Sequence, residues 1–124
     1  MEGLSPAAME QVAAYFQALA EPTRLQILNL LRSGERNVGE IAAELGHTSA
    51  NVSRHLSVLT QRGLAQREGR GTSVYYRIAD PGVFALCDLV CGSIARQHES
   101  AARESQVFIA SAKRATRTAR RAAK

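Results

Sequence analysis

Residues 38–78 read VGEIAAELGHTSANVSRHLSVLTQRGLAQREGRGTSVYYRI, and the hydrophobic period changes within them. Val38, Ile41, Ala42 and Leu45 recur at helical spacing, which predicts a short helix with those side chains inward. Asn37 is placed to cap its start, and Gly46 to close it, because glycine reaches positive φ without a steric cost. After a turn, Thr48 can cap a second helix running from Ser49 to about Arg62, with Val52, Leu56, Val58 and Leu59 as its apolar positions and Gly63 as its end. Two helices joined by a tight glycine-containing turn form a helix-turn-helix. The period then falls to two. Leu64 to Arg67 reads as a short strand, Glu68 to Thr72 as a turn with two glycines, and Ser73 to Ile78 as a return strand. A hairpin directly after a helix-turn-helix is a wing. Tyr75 and Tyr76 point to opposite faces of that strand, and Tyr75 is expected on the core side.

Working outward, Met9, Val12, Ala13, Phe16 and Leu19 give an amphipathic helix from Pro6 to Leu19, with Ser5 as its cap. The pair Glu21-Pro22 interrupts, since proline restricts the residue before it. A second helix starts at about Pro22 and carries the wide apolar face of Leu25, Ile27, Leu28, Leu30 and Leu31. Beyond the wing, Asp80 can cap a long last helix that runs from near Pro81 to at least residue 108. The fold class is therefore mainly α with a small β-hairpin wing. The first and last helices carry more apolar surface than this core can cover. Val12, Tyr15, Phe16 and Leu19, with Val83, Leu86, Val90 and Ile94, are read as a homodimer interface, because a second copy is the simplest cover for such a surface. Residues 1–5 form an N-terminal extension, 6–108 the folded domain, and 109–124 a basic tail read as flexible.

The 124 residues suffice for one modest core, and a hydrophobic share of 45% argues against wholesale disorder. The net charge is +5, but Lys113, Arg114, Arg117, Arg120, Arg121 and Lys124 fall together with no acid among them. The rest of the chain thus carries −1, and a nucleic-acid reading has to come from local clusters and fold. The tail can be solvated, touch phosphates or continue the last helix. No apolar run approaches a bilayer span, and the opening MEGLSPAAME has two acids and no base, unlike a secretion signal. The expected location is the cytoplasm, with no membrane partner.

In a helix-turn-helix, the N-terminal part of the second helix enters the major groove. Thr48, Ser49, Ala50, Asn51, Ser53, Arg54 and His55 occupy that part. Asparagine pairs with adenine, arginine with guanine, and a small alanine can meet a thymine methyl. Serine suits phosphates as well as bases. Arg67, Arg70 and Arg77 lie on or beside the hairpin, and Arg70, between two glycines, is the strongest candidate for a backbone or minor-groove contact. The expected partner is double-stranded operator DNA. No nucleophile–base set, phosphate-cradling loop or carboxylate pair supports an enzyme. A winged-helix module that serves a protein partner is the remaining alternative.

The runs AYFQALAEPTRLQILNLL (14–31) and GEIAAELG to RIAD (39–80) resemble the ArsR/SmtB family of bacterial repressors. The resemblance covers about residues 12–95. Its most specific parts are ALAEPTRLQIL, SRHLSVL and the wing GRGTSVYYRI. It implies a bacterial winged helix-turn-helix homodimer packed through first and last helices, with Asn51, Ser53, Arg54 and the wing at DNA. On DNA it would be associated with the nucleoid. It also implies repression relieved by an inducer, which in this family includes metal ions, arsenite, antimonite and persulfides, although some members have none.

The chain departs from the familiar sensor patterns of that family. The helix before the turn reads Asn37-Val38-Gly39-Glu40-Ile41-Ala42, without the cysteines many members carry there. Asp80 fits the first position of the family's zinc site, but Gly82, Ser93 and Arg96 stand where the other ligands belong. Persulfide-sensing members pair an early cysteine with one in the last helix, and the early one is missing. Cys87 and Cys91 remain, four apart and so on one helix face. Three readings stay open for them. They pack as small hydrophobes. They bind arsenite, antimonite or another thiophilic ion as an inducer. They sense redox state or sulfide.

Overall fold

A computed structural model describes residues 1–103 and positions 110, 117 and 121. Its elements in chain order are α1 (Pro6–Leu19), α2 (Pro22–Leu31), β1 (Arg36–Asn37), α3 (Val38–Leu45), α4 (Ser49–Gln61), β2 (Ala65–Arg70), β3 (Ser73–Ile78) and α5 (Gly82–Ala102). The chain divides into two units, Met1–Val83 and Phe84–Lys124.

The helix starts follow from the local sequence. The Ser5 hydroxyl accepts from the Ala8 N–H at 3.1 Å ahead of α1, and the Thr48 hydroxyl accepts from the Asn51 N–H at 3.1 Å ahead of α4. Asn37 and Glu40 form a reciprocal capping box at α3, at 2.8 and 3.1 Å. Each bond satisfies an N–H that a helix start leaves without an intrahelical partner. Glu21 caps α2 through the Arg24 N–H at 2.8 Å. Gly46 ends α3 at φ 69°, in the left-handed conformation that favours glycine.

In the first unit α2 packs against α1, α3 and α4, and α4 packs against α3 and β2. Ile27, Ile41, Val52, Leu56 and Leu59 are completely buried there. Burial of a side chain of this size stabilises by about 1.5–3 kcal/mol. This core fixes α4 through its Val52–Leu56–Leu59 stripe and leaves the opposite face of the helix to solvent.

The wing differs from the expected two-stranded hairpin in three ways. A third strand, β1, pairs with β3, so the sheet order is β1-β3-β2. Two residues ahead of a capping box carry too little pattern to show as a strand in sequence. The turn is also shorter than five residues. Arg70 pairs with Ser73, leaving Gly71 and Thr72 as the loop, with Gly71 at φ 61°. Glycine with positive φ at the first loop position suits a tight hairpin that follows the strand twist. The tyrosines are reversed as well. Tyr76 is opposite Arg67 and shares a face with buried Ala65, while Tyr75 is opposite Glu68 on the outer face.

The Asp80 carboxylate accepts from the Gly82 N–H at 2.8 Å where α5 begins. The helix carries Leu89, Val90 and Ile94 exposed at 71%, 49% and 47%. No described helix is long and apolar enough to cross a membrane. The expected extension of α5 to residue 108 and the basic tail at 109–124 lie largely outside the described residues.

Candidate nucleic-acid interface

Thr48, Ser49, Ala50, Ser53 and Arg54 are all exposed at the start of α4. Arg54 lies two residues beyond fully buried Val52, slightly more than half a helical turn round, and so faces away from the core. Its guanidinium donates to the Asn51 side-chain oxygen Oδ1 at 3.1 Å. Asn51 is half-buried, and its amide nitrogen remains a donor beside the arginine. The two side chains form a donor-rich patch one helical turn long.

His55 is the exception within this segment. It sits one turn beyond Asn51 but beside the buried stripe, half-buried against the end of the core. Its Nδ1 is 3.2 Å from Arg24 Nη1 and 3.8 Å from the Glu21 carboxylate. An arginine can only donate, so Nδ1 acts as the acceptor. Arg24 also donates to the carbonyls of Ala18 and Gln17 at 2.6 and 3.1 Å, and so closes the C-terminal end of α1. Glu21 is held below the ordinary carboxylate range, chiefly by the Arg24 backbone N–H it accepts. This junction explains the Glu21-Pro22-Thr23-Arg24 sequence. One arginine joins the end of α1, the start of α2 and the flank of α4.

The three wing arginines do not converge. Strand alternation puts Arg70 and Arg77 on the outer face with Gln66, Glu68 and Tyr75, and Arg67 on the other face. Arg70 forks onto Glu35, with Nη2 at 2.9 Å from Oε2, and the same nitrogen reaches Glu68 at 2.8 Å. Arg77 donates to Glu68 at 3.0 Å and to Gln66 at 3.1 Å. The Arg70 guanidinium lies 4.9 Å above the Tyr75 ring, a cation–π stack. Arg70 is held above the ordinary arginine range, and Glu35 below the carboxylate range, by their mutual hydrogen bonds first of all. The outer face of the wing is therefore a neutral network of two arginines and two glutamates. Sequence reasoning found the arginines but missed Glu35, because a pairing across 35 positions leaves no local signal.

Val83, expected at a dimer contact, is 3% exposed within one chain. A side chain buried so fully has no surface left for a second copy. Phe16 is 48% exposed, Val12, Tyr15 and Leu19 are half-buried on α1, and Leu86 is half-buried on α5. Leu89 is also exposed, one position before Val90 on α5. Cys87 is half-buried and Cys91 exposed, one turn apart on α5. Among the described residues no group of three or more His, Cys, Asp or Glu side chains could hold a metal ion. One chain thus offers a soft ion these two sulfurs, and further donors would have to come from a second copy or from water.

A helix-turn-helix with a buried-stripe second helix, followed by a hairpin that pairs with a strand ahead of it, defines a winged helix-turn-helix protein. The profile of the bacterial regulatory protein arsR family matches residues 21–67. The HTH-type transcriptional regulator Rv0324 of Mycobacterium tuberculosis is 44% identical over 84 residues, 68% of this chain and 37% of that protein. The chain thus spans little more than a third of that relative's length. The regulator NmtR of the same species is 40% identical over 85 residues, 68% of this chain and 71% of its own length. A homodimeric winged helix-turn-helix DNA-binding domain from Mycobacterium bovis, described as a possible ArsR-family regulator, superposes with a TM-score of 0.65 at 42% identity. That match covers 79% of this chain and 93% of that one. The antimony-specific transcriptional repressor AntR superposes at 0.65 with 31% identity, over 80% of this chain and 90% of that one. The chain belongs to the ArsR family, whose members are DNA-binding transcriptional regulators and not enzymes.

Proposed function

We propose that the protein is a sequence-specific, double-stranded DNA-binding transcriptional repressor that works as a homodimer. The observation that carries this reading is the start of α4. Its core stripe is fully buried, while Ala50, Ser53 and Arg54 stand exposed on the outer face with Asn51 bonded to Arg54. A rigid helix with a small, polar and basic outer face suits the major groove. The exposed apolar side chains of α1 and of α5 each favour burial against a second copy. Two reading helices would then meet two half-sites of an operator.

A thiophilic ion at Cys87 and Cys91 is the inducer this reading favours, and the exposed Cys91 sulfur supports it. The antimony specificity of AntR is a property of that relative, and it makes metalloids the first ligands to try. Bridging two thiols on α5 would alter the packing of a dimer built on that helix. A bias of a few kcal/mol toward the non-binding arrangement would release DNA. The test is a gel shift with the protein's own upstream region, titrated with arsenite. Wild-type protein should release the DNA, and a Cys87→Ser, Cys91→Ser double variant should hold it. Equal release from both, or none from either, contradicts metalloid sensing by these thiols. Release by an oxidant or polysulfide alone would assign the same thiols a redox role.

A further inference from the structure

The Arg70 fork is already occupied within the molecule. Glu35 stands immediately before β1, off the hairpin, yet its two oxygens receive the two terminal nitrogens of Arg70 near the wing tip. This bidentate geometry is the one in which a guanidinium takes a phosphate. Glu68 differs in place and partners. It lies on β2 and is shared between Arg70 and Arg77, so it travels with the wing. Glu35 ties the wing to the turn that follows α2.

We propose that Glu35 is a determinant of DNA affinity, its carboxylate holding the Arg70 fork as an internal stand-in for a backbone phosphate. This rests on the reading that the wing meets the duplex. DNA must displace Glu35 before Arg70 can grip a phosphate with both nitrogens. The exchange is readily reversible, because the Arg70 and Glu35 side chains are 45% and 36% exposed, and exposed pairs contribute little to folding. The Tyr75 ring beneath the guanidinium keeps it oriented during the exchange. The device acts on every sequence alike, since a phosphate carries no base identity. It weakens DNA contacts in general and leaves discrimination to α4.

The test measures binding by fluorescence anisotropy to two labelled duplexes, the protein's own upstream region and an unrelated sequence, across a salt series. Wild type is compared with Glu35→Gln, Arg70→Ala and the double variant, each checked for folding by circular dichroism. Glu35→Ala serves as a second variant of the same position. Glu35→Gln should bind both duplexes severalfold more tightly at low salt. Its salt dependence should be at least as steep as that of wild type, because the same phosphates are neutralised in both. Arg70→Ala should weaken binding, and adding Glu35→Gln to it should change nothing further. A persistent gain in the Arg70→Ala background would mean a general charge effect and overturn the proposal. Weaker or unchanged binding by both Glu35 variants would overturn it too, while leaving the wing reading in place. An Arg70→Ala variant that binds like wild type would remove the wing from the interface and this inference with it.

Discussion

Thr48 joins two roles in one side chain. It begins the segment expected to face DNA, and its hydroxyl oxygen accepts from the Asn51 N–H that opens α4. Thr48→Ala should therefore cost about 1 kcal/mol of stability, the usual effect of losing such a cap, read as a shift of the urea midpoint at unchanged slope. Glu21 makes a pH-dependent contribution. Its folded pKa lies below the ordinary 4.5, chiefly through the Arg24 N–H it accepts, with the Arg24 charge adding to it. A depressed carboxylate stabilises fully above its unfolded value and loses that contribution as pH falls through the folded one. Wild type should lose this contribution as pH falls through the acid range below 4.5, and Glu21→Ala should lose less there. Thermal melts through that range check the difference. Neither residue's partner is far in sequence, which is why the Ser5, Asn37 and Thr48 caps could be read from the chain. Glu21 at the α2 cap could not, since glutamate is an uncommon capping residue.

At the scale of elements, periodicity made the helices legible, with α1 running over the residues expected. The apolar repeat that marks a helix is the same repeat that docks it, so the reading face of α4 followed from its buried face. The wing was harder. Its strands are short, and polar on one side. Arg70 and Glu68 therefore looked like turn residues, although the ladder continues through them to Ser73. The tyrosine pair could not be oriented without knowing which face Ala65 buries. The two-residue loop makes Gly71 the most constrained position of the hairpin, at φ 61°. A Cβ would meet no atom there, so any cost comes from the backbone alone. Gly71→Ala should destabilise by about 1–2 kcal/mol, the price of a left-handed L-residue. Hydrogen exchange should show faster opening at β2 and β3 and little change at α4.

For the whole molecule, the family and its winged helix-turn-helix fold were legible from EPTRLQIL, SRHLSVL and GRGTSVYYRI, because those runs combine caps, core and turn residues in fixed order. Val83 shares the helical phase of Leu86 and Val90, but its side chain is buried within one chain, which the apolar repeat alone does not reveal. Val90 and Ile94 are the exposed residues proposed for the contact on α5, and Leu89 is exposed beside them. Val90→Glu with Ile94→Glu should convert a dimer to monomers in sedimentation equilibrium at micromolar concentration, with helix content retained. A variant that sediments like wild type would place the contact elsewhere. Reading of DNA by the outer face of α4 is measured by the affinity of Arg54→Ala for the protein's own upstream duplex against unrelated DNA. Loss of the pair's base contacts should weaken specific binding by about 1–3 kcal/mol per reading helix and narrow the gap between the two duplexes. An Arg54→Ala protein with wild-type affinity and wild-type selectivity would contradict the account.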